Sequence, residues 1–371
     1  MIYLDNAATS YPKPACVKRE FIRSLTRYPG NPGRSGHRLS IAAAERVYRT
    51  RCAVKQLLGA ESEEQIVFSQ NATFAINTIL RARVRPGMHI LISDMEHNAV
   101  FRPIHRMAQD GLISYSVFAH KNLTEASLGK MLTPDTGMLI CTHISNVTGT
   151  VLPVETIARF CRQNGIYFVL DASQSLGHRV VDVRRLPCDA LCAPGHKGLL
   201  GPQGSGILYL RNGDGIHDVF QGGSGADSLS PYMPDYLPDR LEPGTLSTPA
   251  IGALGASVEW LLRHDISAIE HREREFTLLM HALLREIPPI ELFSEAESGI
   301  TAFRVRGESS DETATRLDYR GICVRGGLHC APLAHQTLAT QDTGLVRLSC
   351  GAFNTKAQAR AVARVLKAQL T

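Results

Sequence analysis

The stretch Tyr167-Phe168-Val169-Leu170-Asp171 decides the fold class of this chain, because four apolar or aromatic residues in a row end on a carboxylate. A continuous apolar run is typical of a strand buried on both faces of a mostly parallel sheet. Longer amphipathic stretches, such as residues 153–164, separate this run from similar ones. Those similar runs cover residues 66–68, 89–93, 138–142 and 206–210. Strand–helix alternation of this kind predicts an α/β fold with a helix-covered sheet.

The last third of the chain has a different pattern. Residues 251–286 have the periodicity of a long helix, which we expect to lead into a smaller α+β C-terminal domain. Strand candidates follow at 301–305, 322–325 and 345–349, and an amphipathic helix closes the chain. The segment 222–248 is rich in Gly, Pro, Ser and Asp; a loop of this length is either functional or disordered.

The bulk composition excludes several classes of protein. The chain has 371 residues and a formal net charge of +5, without basic runs. We therefore expect no nucleic-acid partner. No apolar run approaches the roughly 20 residues that a bilayer requires, and the N-terminus lacks a signal-peptide pattern. The nine cysteines form no CxxC pair, so we expect reduced thiols, a cytoplasmic location and no metal site.

Lys197 is the first candidate functional residue. It lies in Gly195-His196-Lys197-Gly198, where glycines let a bulky group approach the backbone. Alone, such a lysine is more simply a solvated loop residue. Asp171, 26 residues upstream, ends the buried strand at the edge where α/β sheets bind ligands. A carboxylate buried there needs a cationic partner, and the protonated pyridine nitrogen of a cofactor would supply one. The alternative is that Asp171 only caps the next helix.

The hypothesis that Lys197 and Asp171 bind a cofactor also predicts a site for a phosphate group. Asn71-Ala72-Thr73 lies between the strand candidate at 66–68 and a helix-like stretch. Backbone N–H groups at a helix N-terminus bind phosphate, and Thr73 adds a hydroxyl. Since such residues also cap many ordinary helices, this turn alone is a weak signal.

Further motifs join these along the chain. In order, the set is Leu4-Asp5-Asn6-Ala7-Ala8-Thr9, Asn71-Ala72-Thr73, Glu96-His97-Asn98-Ala99, Ser145-Asn146, Asp171 with Gln174, Gly195-His196-Lys197 and the segment around Cys330. Taken together, these motifs resemble those of cysteine desulfurases, which are fold-type I, class V aminotransferase-like enzymes that use pyridoxal 5'-phosphate (PLP). The resemblance extends nearly from end to end, and the pattern is most similar to that of the Suf-type group and the selenocysteine lyases. The resemblance implies a large PLP-binding domain of residues 15–255 with a seven-stranded type of sheet. Residues 1–14 and 256–371 would form the small domain.

The resemblance also implies roles around the cofactor. Lys197 would bind PLP covalently, Asp171 would pair with the pyridine nitrogen, and Gln174 would hydrogen-bond the phenolic oxygen. His97 would stack on the ring and help to move protons, unless it is a buried structural histidine. The remaining cofactor positions are Ala72 and Thr73 at the phosphate, Asn146 on the oxygen side, His196 near the phosphate or the lysine, and Thr245 reaching the phosphate of the other subunit of a homodimer.

One position departs from the family pattern. Many desulfurases have a serine two residues before the histidine of this lysine motif, and the serine helps to bind phosphate. This chain has Pro194 there, so both a hydroxyl and a backbone donor are absent. The departure puts the affinity for PLP in doubt, not its presence, and shifts weight to Thr73 and Thr245.

Cys330 is the candidate nucleophile. It follows Gly326-Gly327-Leu328-His329, a segment that predicts an accessible thiol with a basic neighbour, which favours the nucleophilic thiolate. The alternative, an inert packing cysteine, is the expectation for the other eight. The resemblance implies that Arg347 binds the substrate's α-carboxylate, for which a guanidinium is well suited. Other substrate-lining positions would be Asn146, Arg325, Arg34 and Ala8, although Arg325 and Arg34 could be plain surface charges.

These features predict a PLP-dependent enzyme that converts L-cysteine to L-alanine and leaves the sulfur on Cys330 as a persulfide for an acceptor protein. Selenocysteine lyase activity is the nearest alternative, because the same scaffold supports it with L-selenocysteine. Another C–S lyase or an aminotransferase is a further alternative, although transamination has no need for the Cys330 motif. A non-catalytic binding or carrier module is disfavoured by the complete set of Lys197, Asp171, His97, Arg347 and Cys330.

Overall fold

The computed structural model describes residues 1–33 and 35–370. Its strands are β1 (Ile2–Tyr3), β2 (Ile66–Ser69), β3 (Met88–Ser93), β4 (Ile113–Phe118), β5 (Thr136–Thr142), β6 (Tyr167–Asp171), β7 (Ala190–Pro194), β8 (Gly206–Leu210), β9 (Ile290–Leu292), β10 (Ile300–Val305), β11 (Ile322–Cys323) and β12 (Val346–Ser349). Its α-helices are α1 (Ala15–Thr26), α2 (Arg38–Leu58), α3 (Ala72–Arg83), α4 (Asn98–Gln109), α5 (Glu125–Gly129), α6 (Val154–Gln163), α7 (Thr248–Arg263), α8 (Ile266–Arg285), α9 (Ser310–Asp318), α10 (Pro332–Thr337) and α11 (Lys356–Leu370).

The central sheet has seven strands in the order β2-β8-β7-β6-β5-β3-β4. The pairs among β4, β3, β5, β6 and β7 are parallel, and β8 is antiparallel to both of its neighbours. The prediction of a mostly parallel, helix-covered sheet is therefore confirmed. All five residues of β6 are buried, which accounts for the continuous apolar run in the sequence.

Two apolar clusters cover the two faces of this sheet. One contains Phe168 and Leu170 together with residues of α2, α6 and α7, and the other contains Val169 together with residues of α3 and α4. Neighbouring β6 residues divide between the two clusters because successive side chains of a strand point to opposite faces. Burial on both faces fixes where β6 ends, and therefore where Asp171 lies.

A smaller sheet, β12-β10-β9, lies beyond α8 and is antiparallel. A third apolar cluster packs it against α8 and α11 and includes Leu4 from the N-terminal segment. Strand β1 pairs in parallel with β11. The first residues of the chain thus pack among residues from its last third.

The sequence-based secondary structure differs from the structure at one helix and at several short strands. The single helix expected at 251–286 is two helices, α7 and α8, which are separated at His264 and Asp265. Asp265 has a φ of 49°, a left-handed conformation that a continuous α-helix does not contain. Strands β1, β4, β7 and β9 were missed. Among the described residues, no helix is both long and apolar enough to cross a bilayer.

Candidate active site

A cavity of about 230 Å³ opens at the carboxyl ends of the central strands. Asp171 ends β6, Thr142 ends β5 and His97 follows β3, so three neighbouring strands deliver side chains to one edge. Eleven of the residues predicted from the sequence line this cavity: Ala8, Ala72, Thr73, His97, Asn146, Asp171, Gln174, His196, Lys197, Arg325 and Arg347. The fold therefore collects at one place residues that are spread over most of the chain.

Asp171 and Lys197 are a buried carboxylate and a buried amine within the same cavity. Asp171 is 2% exposed, and its Oδ1 accepts a hydrogen bond from the Ser173 N–H at 2.9 Å. Burial lowers the pKa of Lys197 to about 8, although the charge of Asp171 opposes the shift and Arg347 and Arg325 add to it. Roughly a tenth of the Lys197 amine is therefore neutral, and nucleophilic, at pH 7, far more than for an ordinary lysine.

His97 and His196 are both neutral imidazoles. Burial, aided by the charge of Lys197, lowers the pKa of each to about 4. His97 caps α4, because its Nδ1 accepts from the Ala99 N–H at 3.0 Å. Since a neutral imidazole whose Nδ1 accepts must carry its proton on Nε2, His97 presents an Nε2–H donor. The Nδ1 of His196 is buried and has no partner among the described residues.

The predicted phosphate turn is the N-terminus of α3. Asn71 caps this helix by accepting from the Phe74 N–H at 2.8 Å, and the next two residues, Ala72 and Thr73, line the cavity. The turn packs tightly on the start of β8: a Cβ added to Gly206 would lie 2.9 Å from Asn71 Cα. Pro194, the departure from the family pattern, ends β7 beside this region and also lines the cavity.

The two amides predicted near the cofactor already have protein partners. Gln174 Nε2 donates to the Ala7 carbonyl at 2.9 Å, and Asn146 Nδ2 donates to the His329 carbonyl at 2.7 Å. Each amide therefore ties the large sheet to another segment that lines the cavity. The side-chain oxygens, and the second N–H of each amide, are left for a ligand.

Arg347 is held rigidly. It is 1% exposed, donates from Nη1 to the Asn146 carbonyl at 2.8 Å and from Nη2 to Asp5 Oδ1 at 2.9 Å. Its Nε is buried without a partner among the described residues. Arg325 is its cross-strand neighbour through an isolated antiparallel bridge. Two guanidinium groups side by side, with Lys197 nearby, suit an anionic ligand.

Cys330 lies beside the cavity on a sharp turn. Of the nine cysteines, all within the described residues, Cys330 alone is exposed. His329 and Cys330 have φ values of 50° and 57°, so two consecutive non-glycine residues are left-handed. Arg325 Nη2 lies 3.7 Å from the Cys330 sulfur. The basic group next to the thiol is therefore Arg325, because burial lowers the pKa of His329 to about 2 and keeps it neutral.

The Cys330 turn is anchored by hydrogen bonds to its backbone. The Asn98 N–H donates to the Cys330 carbonyl at 2.7 Å, next to the His97 cap, and the Asn146 amide donates to the preceding carbonyl. The turn that carries the thiol is thus fixed to the same two segments that line the cavity. A residue forced into a left-handed conformation persists where its surroundings hold it in this way.

Besides Cys330, which lies beside the cavity, Thr245 is a predicted residue that does not line it. Thr245 lines a separate cavity of about 490 Å³, next to Phe74 and Phe220, and its hydroxyl accepts from Asn31 Nδ2 at 3.2 Å. Arg34 lies outside the described residues. Conversely, the sequence analysis assigned no role to Asp5, which is the carboxylate partner of Arg347. Its place in the Leu4-to-Thr9 motif was the available signal.

Comparison with known proteins gives the family. The model of the class-V aminotransferases matches residues 2–362. The chain belongs to this family. It is 33% identical, over 99% of its length and 94% of the relative's, to a protein named "Probable cysteine desulfurase" from Methanothermobacter thermautotrophicus. A protein of the same name from Xylella fastidiosa is also 33% identical, over 99% of this chain and 90% of the relative.

Solved structures agree with this family assignment. An apo cysteine desulfurase from Thermococcus onnurineus NA1 superposes with a TM-score of 0.92 at 27% identity, covering all of this chain and 94% of that one. The cysteine desulfurase CsdA of Escherichia coli, in an S-sulfonic acid form, superposes with a TM-score of 0.90 at 28% identity, covering 99% and 94%. The sequence-based resemblance to this family is therefore confirmed.

Proposed function

We propose that this class-V aminotransferase family member is a PLP-dependent cysteine desulfurase that converts L-cysteine to L-alanine and takes the sulfur on Cys330. The observation that carries the proposal is the placement of an exposed thiol, contacted by Arg325, beside a cavity that holds Lys197 and Asp171. An aminotransferase needs the lysine and the aspartate but has no use for the thiol. The names of the relatives point to the same reaction.

The residues of the cavity fit PLP. Asp171 is a buried carboxylate that makes no ion pair at 4 Å or less among the described residues, and a pyridinium N–H would satisfy it. The N–H groups at the start of α3, together with the unpartnered His196 Nδ1, suit a phosphate. Bound there on Lys197, PLP supplies an electron sink for the carbanion formed next to the amino group of the substrate. Pro194 contributes no donor, so within a single chain phosphate binding would depend on Ala72, Thr73 and His196.

The protein's own groups would then handle the substrate and its protons. Arg347 Nε is a buried donor available for the α-carboxylate of L-cysteine, with Arg325 beside it. Lys197, once released from the cofactor, is positioned to remove the α-proton, because its lowered pKa leaves part of the amine unprotonated. His97 presents its Nε2–H donor to the same cavity.

The sulfur step involves Cys330. Its thiolate attacks the substrate sulfur and forms the S–S bond while the Cβ–S bond of the substrate breaks. The electron pair that stays on carbon takes up a proton and yields the methyl group of alanine. The persulfide on Cys330 is exposed, where a thiol of an acceptor protein or of a small reductant can attack it.

We also propose a homodimer in which Thr245 reaches the PLP phosphate of the partner. Thr245 is absent from its own chain's cavity, and the loop before it exposes large apolar side chains, with Leu229 fully exposed and Tyr232 82% exposed. Such apolar surface suits burial against a second copy. The division into a large domain of 15–255 and a small domain of 1–14 and 256–371 likewise stays a prediction.

The test measures alanine and sulfide released from L-cysteine with dithiothreitol, using protein reconstituted with PLP. We expect Cys330→Ala to keep the visible absorption of bound PLP and to lose cysteine turnover by about hundredfold or more. Cys52→Ala is the matched control, because this half-buried cysteine lies in a surface groove remote from the cavity, and it should retain wild-type rates.

L-Selenocysteine is run in parallel. If selenocysteine turnover survives Cys330→Ala while wild-type protein barely uses cysteine, the chain is a selenocysteine lyase, because selenium leaves carbon without needing the thiol. If PLP-loaded wild type releases alanine from neither substrate, the desulfurase proposal is wrong.

A further inference from the structure

The loop that carries Lys197 is braced from behind by the turn that follows Gln174. Gly177 has a φ of 90°, and a Cβ there would collide with the Gly198 carbonyl. In return, a Cβ on Gly198 would lie 2.5 Å from His178 Cδ2 and even closer to the Leu176 carbonyl oxygen. The backbone next to Lys197 therefore has no room to move towards this turn.

His178 is the side chain at the centre of this contact. Its Cδ2 and Nε2 edge faces Gly198, and its Nδ1 lies 3.0 and 3.1 Å from the two carboxylate oxygens of Glu273. Glu273 belongs to α8 and is 4% exposed. The ring is thus held between the helix that supports the small sheet and the residue after Lys197.

The ion pair favours the charged form of the imidazole. Burial alone would lower the pKa of His178, but the negative charge of Glu273 and its hydrogen bond outweigh burial and raise it. The positive charge of Lys197 acts in the opposite direction, so the two cationic side chains interact. A charged ring on a buried carboxylate is a stiff support, because breaking it would leave Glu273 buried and unpaired.

We infer that His178, anchored by Glu273, is a positioning residue that holds the Lys197 loop in the geometry needed to react with the cofactor aldehyde. The inference rests on the proposed role of Lys197. The side chain of His178 would then link α8 to the reactive amine, and α8 in turn connects to the small sheet. Catalytic geometry is sensitive to small displacements, and a shift of about 1 Å can cost about a hundredfold in rate.

A neighbouring ion pair provides a matched control. Arg179 Nη2 lies 2.7 Å from Glu270 Oε1, so this pair also joins the turn after Gln174 to α8. The atoms nearest to a Cβ added at Gly198 belong to Leu176 and His178, not to Arg179. A purely structural link between the turn and α8 would be weakened by either substitution, whereas positioning of Lys197 depends on His178.

The experiment uses full-length, cofactor-free protein mixed with PLP and cyanoborohydride, and it follows labelling of the Lys197 peptide by mass spectrometry. We expect His178→Ala to slow labelling of Lys197 by about tenfold or more. In Arg179→Gln, Lys197 should be labelled at a rate within about twofold of that in wild type. In Glu273→Gln, whose amide oxygen still accepts from His178 Nδ1, the rate should be within about threefold of that in wild type. In the reconstituted enzyme, His178→Ala should lower kcat for L-cysteine with little change in KM, since Arg347 is untouched.

The outcomes separate this inference from the proposed function. If Lys197 of wild type is not labelled at all, both are overturned. If wild type is labelled and His178→Ala matches its rate, or if Arg179→Gln is slowed as much as His178→Ala, only the positioning role is wrong. Should His178→Ala fail to fold, His178→Asn, which retains a donor at the Nδ1 position but no ring edge, answers the same question. Slow labelling of that variant supports the role and a wild-type rate refutes it.

Discussion

Glu96, directly before His97, is a fully buried carboxyl with only half of its hydrogen bonds made. Its Oε1 accepts from the Thr142 N–H at 2.9 Å and from the Ser93 hydroxyl, while Oε2 has no partner among the described residues. Burial raises its pKa to about 8, and the negative charge of Asp171 adds to the shift. Glu96 is therefore protonated at neutral pH. Burial also raises the pKa of Asp171, although the hydrogen bonds from Ser173 and the charge of Lys197 oppose that shift.

The protonation of Glu96 predicts how stability depends on pH. In the unfolded chain this carboxyl loses its proton near pH 4.5, whereas in the folded chain it keeps the proton up to about pH 8. Between these values the folded state binds more protons, so the free energy of unfolding falls as pH rises. Glu96→Gln, a neutral isostere, should lack this pH dependence. Between pH 5 and pH 8 its free energy of unfolding should therefore rise, relative to that of wild type, by on the order of a few kcal/mol.

Urea unfolding of both proteins at pH 5, 6.5 and 8 measures this difference. Glu64→Gln is the control. Because Glu64 is exposed, this substitution should not change how the free energy of unfolding depends on pH. Equal pH slopes for wild type and Glu96→Gln would mean that Glu96 is ionised in the folded protein.

At the scale of elements, the break between α7 and α8 depends on Asp265. This residue has a φ of 49°, and its side chain caps α8 by accepting from the Ser267 N–H at 3.0 Å. Asp265→Ala should lose the cap and suffer the left-handed strain, at a cost of about 1–2 kcal/mol in the free energy of unfolding. Asp265→Gly should lower the free energy of unfolding by only about a few tenths of a kcal/mol, because glycine removes the strain and is itself a tolerable cap.

Urea unfolding of the two variants and of Asp265→Asn checks this order. Asparagine keeps both the cap and the tolerance for a left-handed backbone, so it should behave as wild type does. If the glycine variant were as unstable as the alanine variant, the backbone conformation of Asp265 would carry no energetic weight.

The same break explains one limit of prediction from sequence. Apolar periodicity continues from α7 into α8, so it predicted one helix; a single left-handed residue interrupts it. Strand β4 was missed because it lies at the edge of the sheet and alternates, as in Ile113-Ser114-Tyr115-Ser116, whereas the search was for continuous runs. Strand β7 contains only one large apolar residue, Leu191, and ends in Pro194, so its sequence resembles a loop more than a strand.

The site was more predictable than the elements around it. Eleven predicted residues line one cavity, and some of them, such as Asp171 at the end of β6 and Ala72 at the start of α3, stand where local patterns reveal the end of a strand or the start of a helix. Their roles remain predictions. The ion pair of Asp5 with Arg347 joins residues 342 positions apart, and that of His178 with Glu273 joins residues 95 apart. Such pairs arise from tertiary packing, which a single sequence does not reveal.

At the scale of the whole molecule, the proposed dimer predicts that each active site takes Lys197 from one chain and Thr245 from the other. Hybrid dimers can test this, with Lys197→Ala on one chain and Thr245→Val on its partner, each carrying a different affinity tag. If Thr245 acts across the interface, one site of the hybrid lacks both residues and the other has both. The hybrid should then bind one PLP per dimer with wild-type affinity and retain about half of the wild-type activity.

If Thr245 instead served its own chain, the hybrid site that keeps Lys197 would lack Thr245. Its affinity for PLP would match that of the Thr245→Val homodimer, which we expect to be reduced because a hydroxyl donor to the phosphate is lost. Titration with PLP, followed by visible absorption, distinguishes the two results. A hybrid that binds PLP no more tightly than the Thr245→Val homodimer would contradict a shared site. The contribution of Thr245 should be large in this protein, because Pro194 offers the phosphate neither a hydroxyl nor a backbone donor within its own chain.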